Sequence, residues 1–206
     1  MPHSDNSTSS PTLAVVSGPP GTGKTTLAQK VAQGLGCPAI IRDEIKQGMV
    51  LATPGYRSGG DDPLNHRTLD VFFEVLTSLL RAGTTVVAEA AFQDKLWRSG
   101  LEPLAALARI RVVRCTTSSA VARSRIAQRA RASAHRGAHA DQELLDAMTT
   151  GKFSYDRFTP ISLDVPILTV DTSTGYRPGV KAVEAFLRDS AWSPTARERR
   201  QASTRS

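Results

Sequence analysis

The sequence predicts an α/β fold in which a parallel β-sheet is covered by helices on both faces. Two observations lead to this prediction. Short apolar segments of strand length alternate strictly with longer segments of helical character, as they do in chains of parallel strands joined by helices. The first strand-like segment also ends at a glycine-rich turn that leads into a helix. At 206 residues the chain fits one core, with ligands expected at the carboxyl ends of the strands.

The elements of the first half follow from apolar runs and helix signals. The run Thr12–Ser17 predicts a buried strand, and a helix at 24–35 places Leu27, Val31 and Leu35 on one face. The next predicted elements are a strand at 39–42, a helix from 43, a helix at 63–82 with Asp62 as its cap and Pro63 at its first position, and a strand at 84–88.

The second half continues the alternation without an internal repeat. Its strands are the short runs RIRVVRC and PILTV. The predicted elements are a helix at 95–108, a strand at 109–115, helices at 118–131 and 141–148, a strand at 166–170 and a closing helix at 180–187.

Composition divides the chain into a central domain and two polar ends. Residues 1–11 and 190–206 are rich in Ser, Thr, Pro and charge, so we expect both to be disordered and the domain to span 12–189. The formal charge of +7 is concentrated in 123–136, with five arginines and no acid, and in 194–206, with four arginines and one acid. The near-neutral remainder argues against a nucleic-acid surface over the whole protein.

Several other classes are excluded by what the sequence lacks. No apolar run approaches the length of a membrane span, and the N-terminus is polar, so we expect a cytoplasmic protein without a membrane partner. Cys37 and Cys115 are far apart and lack the spacing of a zinc site or a disulfide framework. The oligomeric state is left open.

The segment Gly18-Pro19-Pro20-Gly21-Thr22-Gly23-Lys24-Thr25 matches the phosphate-binding pattern G-x-x-x-x-G-K-[ST], between a predicted strand and a predicted helix. Its glycines let backbone amides point inward as an anion cradle at the start of the helix. Lys24 is expected at the β- and γ-phosphates, and the Thr25 hydroxyl at Mg²⁺. Thr26 completes the predicted site for ATP with magnesium.

Other classes of protein that use this phosphate-binding loop are disfavoured by features that the sequence lacks. The chain has no NKxD-type string for reading guanine, which weakens a GTPase interpretation. It is too short for an AAA+ module with its small helical domain, and it lacks an apolar run that ends in Asp-Glu. Small phosphotransferases remain as the leading class.

Two acids follow predicted strands and are expected at the same edge of the sheet. Asp43 comes after strand two, where a carboxylate can accept the proton of an attacking hydroxyl or hold it in line; a simple helix cap is the alternative. Glu89 comes after strand three, where it could hold a magnesium-bound water, orient the substrate, or form a structural ion pair with Arg42 or Lys46.

The segments Ser17 to Thr26 (SGPPGTGKTT) and Ile40 to Gln47 (IIRDEIKQ) resemble P-loop kinases grouped around the kinase domain of bacteriophage polynucleotide kinase and the chloramphenicol phosphotransferase-like enzymes. The resemblance implies a three-layer P-loop fold with sheet order 2-3-1-4-5, Asp43 as base, and an arginine-rich lid after strand four. This chain has Lys46 where the polynucleotide kinases have arginine, and Glu89 where they usually have aspartate. Both departures argue against a polynucleotide acceptor.

The arginine-rich segment 123–148 is the predicted lid. Arg125 and Arg129 stand at i and i+4, so one helical face can present both guanidinium groups to the active edge. By resemblance, Arg129 and Arg136 are the catalytic lid arginines, Arg125 contacts the nucleotide, and the region of Asp171 holds adenine through its backbone. A solvated basic face or a nucleic-acid contact is the alternative for this segment.

Together these patterns predict an ATP- and Mg²⁺-dependent kinase that phosphorylates a hydroxyl of a small molecule such as a nucleoside, sugar or antibiotic. Asp43, Arg42, Lys46 and Glu89 are the predicted substrate-side residues. Two alternatives stay open: a polynucleotide 5′-hydroxyl kinase, and a switch ATPase that acts on a protein partner.

Overall fold

The computed structural model describes residues 10–56, 62–132 and 141–189. The described strands are β1 (Thr12–Ser17), β2 (Ala39–Ile41), β3 (Val86–Ala90), β4 (Arg109–Thr116) and β5 (Ile167–Asp171). The described helices are α1 (Lys24–Leu35), α2 (Arg42–Leu51), α3 (Pro63–Arg81), α4 (Asp94–Leu101), α5 (Ser119–Ala132), α6 (Asp141–Thr149) and α7 (Val180–Arg188). Short 3-10 turns lie at Glu102–Ala106 and Tyr155–Arg157.

All five strands pair in parallel, in the order β2-β3-β1-β4-β5. This confirms the α/β fold and the strand order that the resemblance implied. The central position of β1 explains why each of its residues is buried, since β3 and β4 flank it and helices cover both faces. The loop after β1 therefore starts from the centre of the sheet.

Two apolar layers fix the helices on the sheet. On one face, Leu13 and Val15 pack in a cluster with Phe72 of α3 and Trp97 of α4. On the other face, α1 and α7 pack against β1 in a second cluster, whose members include Ala14, Val16, Leu27, Val31 and Phe186. Among the helices in the described ranges, none is long and apolar enough to cross a membrane.

The third strand lies two residues later than predicted. β3 pairs with β1 from Leu13↔Val86 to Ser17↔Ala90, and Val86–Ala90 is buried throughout. Thr85 lies before the strand, where its hydroxyl accepts a 3.1 Å hydrogen bond from the amide of Thr12. Glu89 is therefore a residue of the strand, with its side chain buried at the carboxyl edge, rather than the first residue after it.

Other boundaries differ by small amounts for local reasons. The predicted helix 95–108 ends as an α-helix at Leu101, because Pro103 lacks an amide donor and the chain continues as a 3-10 turn. Arg42 begins α2 instead of ending β2. Residues 1–9 and 190–206, which make up most of the predicted disordered ends, lie outside the described residues.

Candidate functional site

The loop between β1 and α1 curls because three of its glycines adopt positive φ angles. Gly18, Gly21 and Gly23 have φ of 150°, 77° and 73°. A Cβ on Gly21 would lie 2.7 Å from the backbone oxygen of Ala122, so the loop also packs too closely for a side chain there. Gly23 precedes α1 without a side chain that could cap it, so the first amides of α1 are available to an anion.

Side chains from distant segments hold the loop in this shape. The hydroxyl of Thr22 donates to the Pro19 oxygen at 2.8 Å, within the loop itself. The Thr172 hydroxyl, after β5, donates to the Thr22 oxygen at 2.8 Å. The Tyr155 hydroxyl donates to the Pro20 oxygen at 2.9 Å. Contacts within the protein thus hold the cradle in shape.

Lys24, Thr25 and Glu89 meet at the start of α1. The Thr25 hydroxyl donates to Oε2 of Glu89 at 2.9 Å, and Nζ of Lys24 lies 3.9 Å from Oε1 of the same carboxylate. Lys24 also donates to the Pro19 oxygen at 3.1 Å. Glu89 therefore contacts the P-loop, and Arg42 and Lys46, which the sequence offered as alternative ion-pair partners, pair with Asp43 and Asp62 instead.

Burial raises the pKa of the Glu89 carboxyl, since only 4% of this residue is exposed. The charge of Lys24 and the hydrogen bond from Thr25 oppose this shift, while the carboxylates of Asp43 and Glu44 add to it. Because these acids influence Glu89, the carboxyl ends of β2 and β3 form one negative edge next to the lysine.

Asp43 lies in the first turn of α2, directly past β2. Ile41 pairs with Glu89 across the β2–β3 ladder, which brings Asp43 to the same edge. Nη1 of Arg42 donates to Oδ1 of Asp43 at 3.0 Å, and 42% of the Asp43 side chain is exposed. A carboxylate so oriented and still accessible could accept a proton from a hydroxyl that approaches the edge.

Lys46 lies in a buried polar cluster one turn of α2 after Asp43, and it shares the Asn65 oxygen with Arg42, whose Nη2 donates to that oxygen at 2.7 Å. Its Nζ is 2.7 Å from Oδ2 of Asp62 and donates to Oδ1 of Asn65 at 2.8 Å. Burial opposes ionisation of Asp62, but the hydrogen bonds from Lys46, the Tyr56 hydroxyl and the Leu64 amide together lower its pKa. In this arrangement Lys46 joins α2 to the start of α3, so its predicted contact with substrate stays a prediction that competes with a structural role.

Arg125 of α5 joins the P-loop to the segment after β5. Its Nη2 donates to the Thr172 oxygen at 2.6 Å, and its Nη1 lies 3.2 Å from the Thr172 hydroxyl and 3.4 Å from the Gly21 oxygen. The guanidinium group is therefore beside the cradle, at the side of β5. Asp171 is the last residue of β5, and its carboxylate accepts a 2.7 Å hydrogen bond from the Ser173 amide.

Arg129 is paired with an acid across the arginine-rich segment. Its Nε donates to Oδ2 of Asp141 at 2.7 Å, and its Nη2 bonds the other oxygen, so the pair joins α5 to α6. This hydrogen bonding raises the pKa of Arg129, and the charges of Asp43 and Glu89 contribute in the same direction. Arg136 and the rest of 133–140 lie outside the described residues, so a lid stays a prediction.

Sequence reasoning missed two residues that shape the site, Tyr155 and Arg114, and the side-chain role of Thr172. Tyr155 fastens the loop from a segment that carries no recognisable motif, and Thr172 fastens it from the region after β5, which was expected only to hold adenine through its backbone. Arg114 of β4 lines a cavity beside Gly18 and Pro19. Arg114 is the arginine nearest the carboxyl end of a strand that carries three, and this position was the signal that could have drawn attention to it.

Part of this chain is similar in sequence to curated mycobacterial proteins. The uncharacterized protein Rv2004c of Mycobacterium tuberculosis is 33% identical over 130 residues, which is 57% of this chain and 26% of that protein. The corresponding protein of Mycobacterium bovis matches equally well. The chain thus spans about a quarter of the length of the curated relatives it matches.

Solved structures share the fold over most of the chain. A crystal structure described as a "putative kinase" from Chloroflexus aurantiacus has a TM-score of 0.72 and 26% identity, over 87% of this chain and 98% of that one. The APS kinase CysC of Mycobacterium tuberculosis, solved with AMPPNP and APS, has a TM-score of 0.56 and 16% identity over 87% and 98% of the two chains. A gluconokinase from Sinorhizobium meliloti 1021 has a TM-score of 0.55 and 18% identity over 96% and 99%.

The expected resemblance to small P-loop kinases is confirmed by these neighbours together with the sheet order. A family model described as an AAA domain matches residues 13–151, more than half of the chain. After residue 151 the described residues form a 3-10 turn, β5 and α7 rather than the helical domain of an AAA+ module. The chain belongs to this AAA domain family, with the fold of the small P-loop kinases.

Proposed function

We propose that the protein is a kinase that uses ATP and Mg²⁺ to phosphorylate a hydroxyl of a small organic acceptor. The observation that carries this proposal is the grouping of Lys24, Thr25 and Glu89 at the P-loop, with Asp43 at the same edge of the sheet. A P-loop alone binds a nucleotide, whereas an accessible carboxylate beside it provides a position for an acceptor hydroxyl.

The P-loop would hold the triphosphate of ATP. The inward amides after Gly21 and Gly23 and the start of α1 favour an anion, and Lys24 supplies a positive charge that is only 6% exposed. Lys24 now donates to the Pro19 oxygen and lies near Glu89, so a phosphate would compete for a lysine that is already in position. Arg125 and Asp171 would lie toward the nucleoside end.

The residues beside the lysine fit a magnesium ion. Hydroxyl and carboxylate oxygens suit Mg²⁺, and Thr25 and Glu89 provide one of each, 2.9 Å apart. Within the described ranges, no group of three or more His, Cys, Asp or Glu residues could hold a metal ion, so phosphate oxygens would complete the site. Thr25 would hold the ion directly and Glu89 would hold a water of its shell. When bound, the ion neutralises charge on the phosphates.

Asp43 would orient the acceptor hydroxyl and receive its proton. The acceptor oxygen forms a bond to the γ-phosphorus as the bond from that phosphorus to the bridging oxygen of ADP breaks, and the proton of the hydroxyl passes to the Asp43 carboxylate. The hydrogen bond from Arg42 holds the carboxylate in one orientation. Arg129 and Arg136, the predicted lid arginines, would stabilise charge on the transferring group.

A small acceptor agrees better with the described contacts than a polynucleotide does. The residue that would read a nucleic-acid phosphate in the polynucleotide kinases is Lys46 here, and its ammonium is already paired with Asp62. Its side chain is 8% exposed. The 5′-end of a polynucleotide would therefore lack the cation that this position supplies in that group.

The proposal is tested by transfer of label from γ-³²P-ATP with Mg²⁺ to a panel of sugars, sugar acids, nucleosides, hydroxylated antibiotics and a 5′-hydroxyl oligonucleotide. We expect label on a small panel member and its loss in Asp43→Asn. Asp70→Asn is the matched control, since Asp70 is an exposed carboxylate of α3 and is not among the acids that act on Glu89. It should transfer label at the wild-type rate.

Two results would change the assignment. Label on the oligonucleotide, lost in Asp43→Asn, would identify a polynucleotide kinase. Release of free phosphate without a labelled organic product, at equal rates in wild type and Asp43→Asn, would favour a switch ATPase.

A further inference from the structure

We infer that the cavity beside Gly18 and Pro19 binds the acceptor, and that Arg114 selects an acceptor with a carboxylate or a similar anionic group. This inference rests on the proposed kinase function and narrows its substrate class. The cavity has a volume of about 330 Å³ and lies between the carboxyl ends of β1 and β4 and the segment 155–161. Small-ligand pockets span roughly 300–1,000 Å³, so this one suits a compact molecule.

Arg114 lines the cavity with a positive charge, and its guanidinium group has few polar partners among the described residues. Its one hydrogen bond to a described residue is a long contact of 3.5 Å from Nη2 to the Ile161 oxygen. Among the described residues, no carboxylate lies within ion-pair distance of its guanidinium group. A half-buried guanidinium without a counter-ion costs free energy, which an anionic ligand would recover.

The other arginines of β4 are satisfied in different ways. Arg109 donates to the Thr12 hydroxyl at 3.2 Å, and Arg111 donates to the Asp189 backbone and lies 5.1 Å from the Phe186 ring centroid. Both lie toward the opposite end of the strand from the P-loop. Arg114 pairs in register with Ser17, the last residue before the loop, so it is the arginine of β4 that a ligand at the P-loop would meet.

The segment 155–161, which covers the cavity, is held in place by hydrogen bonds at both of its ends. At the P-loop end, the Tyr155 hydroxyl donates to the Pro20 oxygen at 2.9 Å. At the other end, the Ser162 amide donates to Oδ1 of Asp94 at 2.8 Å, and the Asp94 amide donates to the Thr159 oxygen at 2.9 Å. The cavity is therefore formed before a ligand arrives, which reduces the ordering cost of binding.

The lining suggests a hydroxylated carbon chain that bears an acid. Thr116 and Thr117 line the cavity with hydroxyl groups that also contact the Val170 oxygen at 3.4 Å and the Ser173 hydroxyl at 3.1 Å, while Phe158 and Ile161 contribute apolar surface. A guanidinium group binds a carboxylate through two parallel hydrogen bonds. The lining thus offers an anion site, hydroxyl partners and an apolar wall to one molecule.

Spacing across the sheet sets the length of that molecule. β1 and β3 lie between β4, which carries Arg114, and β2, which precedes Asp43, so these two strands are about 14 Å apart at about 4.8 Å per strand, a span that the ligand and the Arg114 side chain would share. An extended six-carbon hydroxy acid measures about 9 Å, from bond lengths of about 1.5 Å. Such an acid could place its carboxylate at Arg114 and its terminal hydroxyl near Asp43.

The test compares acids with neutral alcohols of the same length. D-gluconate and D-sorbitol differ by a carboxylate in place of a hydroxymethyl group, and D-glycerate and glycerol form a shorter pair. Binding to the purified protein is measured by calorimetry without nucleotide, and transfer from γ-³²P-ATP is measured separately. Arg114→Met keeps the length of the side chain without its charge, and Arg109→Met is the matched control on the same strand.

We expect a six-carbon acid to bind at least tenfold more tightly than its neutral partner, and this preference to disappear in Arg114→Met but persist in Arg109→Met. Transfer to the acid should lose at least tenfold in kcat/KM in Arg114→Met, with the KM for ATP changed less than threefold. The melting temperature of Arg114→Met should equal or exceed that of wild type, which excludes a folding defect.

Four outcomes would overturn the inference, and they separate it from the kinase proposal. Equal binding of acids and neutral alcohols, or no binding of any acid, removes Arg114 as the selector, even if label is transferred to a neutral acceptor and the kinase proposal stands. Binding of an acid that Arg114→Met does not weaken places the anion elsewhere. An acid that binds through Arg114 but is never phosphorylated shows that the cavity is not the acceptor site.

Discussion

The Thr25 hydroxyl donates a 2.9 Å hydrogen bond to Oε2 of Glu89, which lies 64 residues further along the chain. This bond joins the first turn of α1 to the carboxyl end of β3, and Lys24 faces the same carboxylate. The carboxylate is buried beside the position where the phosphates of a nucleotide are expected. It therefore lowers the stability of the ligand-free fold when it ionises, and a bound cation would reverse this effect.

Glu89→Gln is expected to change how stability depends on pH. A carboxyl whose pKa is raised by folding contributes stability below its ordinary pKa of 4.5, and this contribution is lost as the pH rises through the raised value. The ligand-free variant should thus gain stability relative to wild type as the pH rises from about 4.5 upward, because glutamine does not ionise. Each tenfold difference between the acidity constants of Glu89 in the folded and unfolded protein changes the unfolding free energy by about 1.4 kcal/mol.

Urea unfolding of both proteins between pH 4 and pH 8 measures this difference. A stability difference that stays constant with pH would show that Glu89 ionises normally in the fold. The variant should also lose phosphoryl transfer, so a stabilised and fully active variant would contradict the assignment of Glu89 to the magnesium site.

Arg125→Ala should weaken both the fold and nucleotide binding. Arg125 contacts Thr172, Ser173 and Gly21, and hydrogen bonds from charged groups are each worth roughly 1.5–3 kcal/mol. We expect a loss of about 2 kcal/mol in unfolding free energy and a rise of roughly tenfold in the dissociation constant of ATP.

Arg123→Ala is the control for Arg125→Ala. It lies in the same helix, is exposed, and donates to the Thr149 hydroxyl at 3.0 Å. Its unfolding free energy should change by less than about 0.5 kcal/mol. Equal losses in the two variants would mean that Arg125 has no special role at the loop.

Gly21→Ala should prevent the P-loop from forming. Gly21 has φ of 77°, and a Cβ there would lie 2.7 Å from the Ala122 oxygen, a backbone atom that cannot rotate away. Gly83 has φ of 74°, and a Cβ at that position would meet no atom within 4 Å. Gly83→Ala is therefore the control, because it introduces the backbone strain of a positive φ without the steric clash. Gly83→Ala should cost about 1–2 kcal/mol and leave ATP binding intact.

Titration of ATP into both glycine variants checks this difference. Loss of binding in Gly21→Ala alone is the expected result. Wild-type affinity in Gly21→Ala would show that the loop can shift away from α5 without losing its cradle.

Asp62→Asn should destabilise the protein strongly, because it leaves the buried ammonium of Lys46 without its counter-ion. We expect a loss of about 3 kcal/mol in unfolding free energy. The pKa of Asp62 is lowered in the fold, so its contribution is present above the ordinary pKa of 3.8 and is lost as the pH falls through the lowered value. Chemical denaturation at pH 7 and pH 3 measures both effects.

The matched control for Asp62→Asn is Asp70→Asn, at an exposed position of α3. Its stability should change by less than about 0.5 kcal/mol. Wild-type stability in Asp62→Asn would show that Lys46 is not bound to Asp62, and would return Lys46 to the substrate site.

The sequence predicts the order of elements because alternating strands and helices carry strong local signals. The parallel sheet and the position of the P-loop follow from local patterns in the same way. The end of the α-helix at Leu101 does not, because the apolar periodicity continues past Pro103 and conceals the break. The two-residue shift of β3 depends on its register with β1, which no single segment encodes.

The candidate site is predictable only where a motif or a strand end marks a residue. Lys24, Thr25, Glu89 and Asp43 come to one edge as expected, since parallel strands end together. The partner of Lys46 is not predictable, because the sequence around Asp62 indicates a helix cap and not an ion-pair acceptor. Tyr155 and Thr172 reach the P-loop from loops, whose paths depend on tertiary packing.

The central claim is that this edge of the sheet transfers a phosphoryl group to an acceptor. The most direct test is to count ADP and phosphorylated acceptor in the same reaction over a single turnover, with wild type and Asp43→Asn. The account predicts about one phosphorylated acceptor for each ADP in wild type, and a rate of transfer lower by roughly 10²–10⁴-fold in the variant. ADP that is matched by free phosphate, at a rate unchanged in Asp43→Asn, would contradict it.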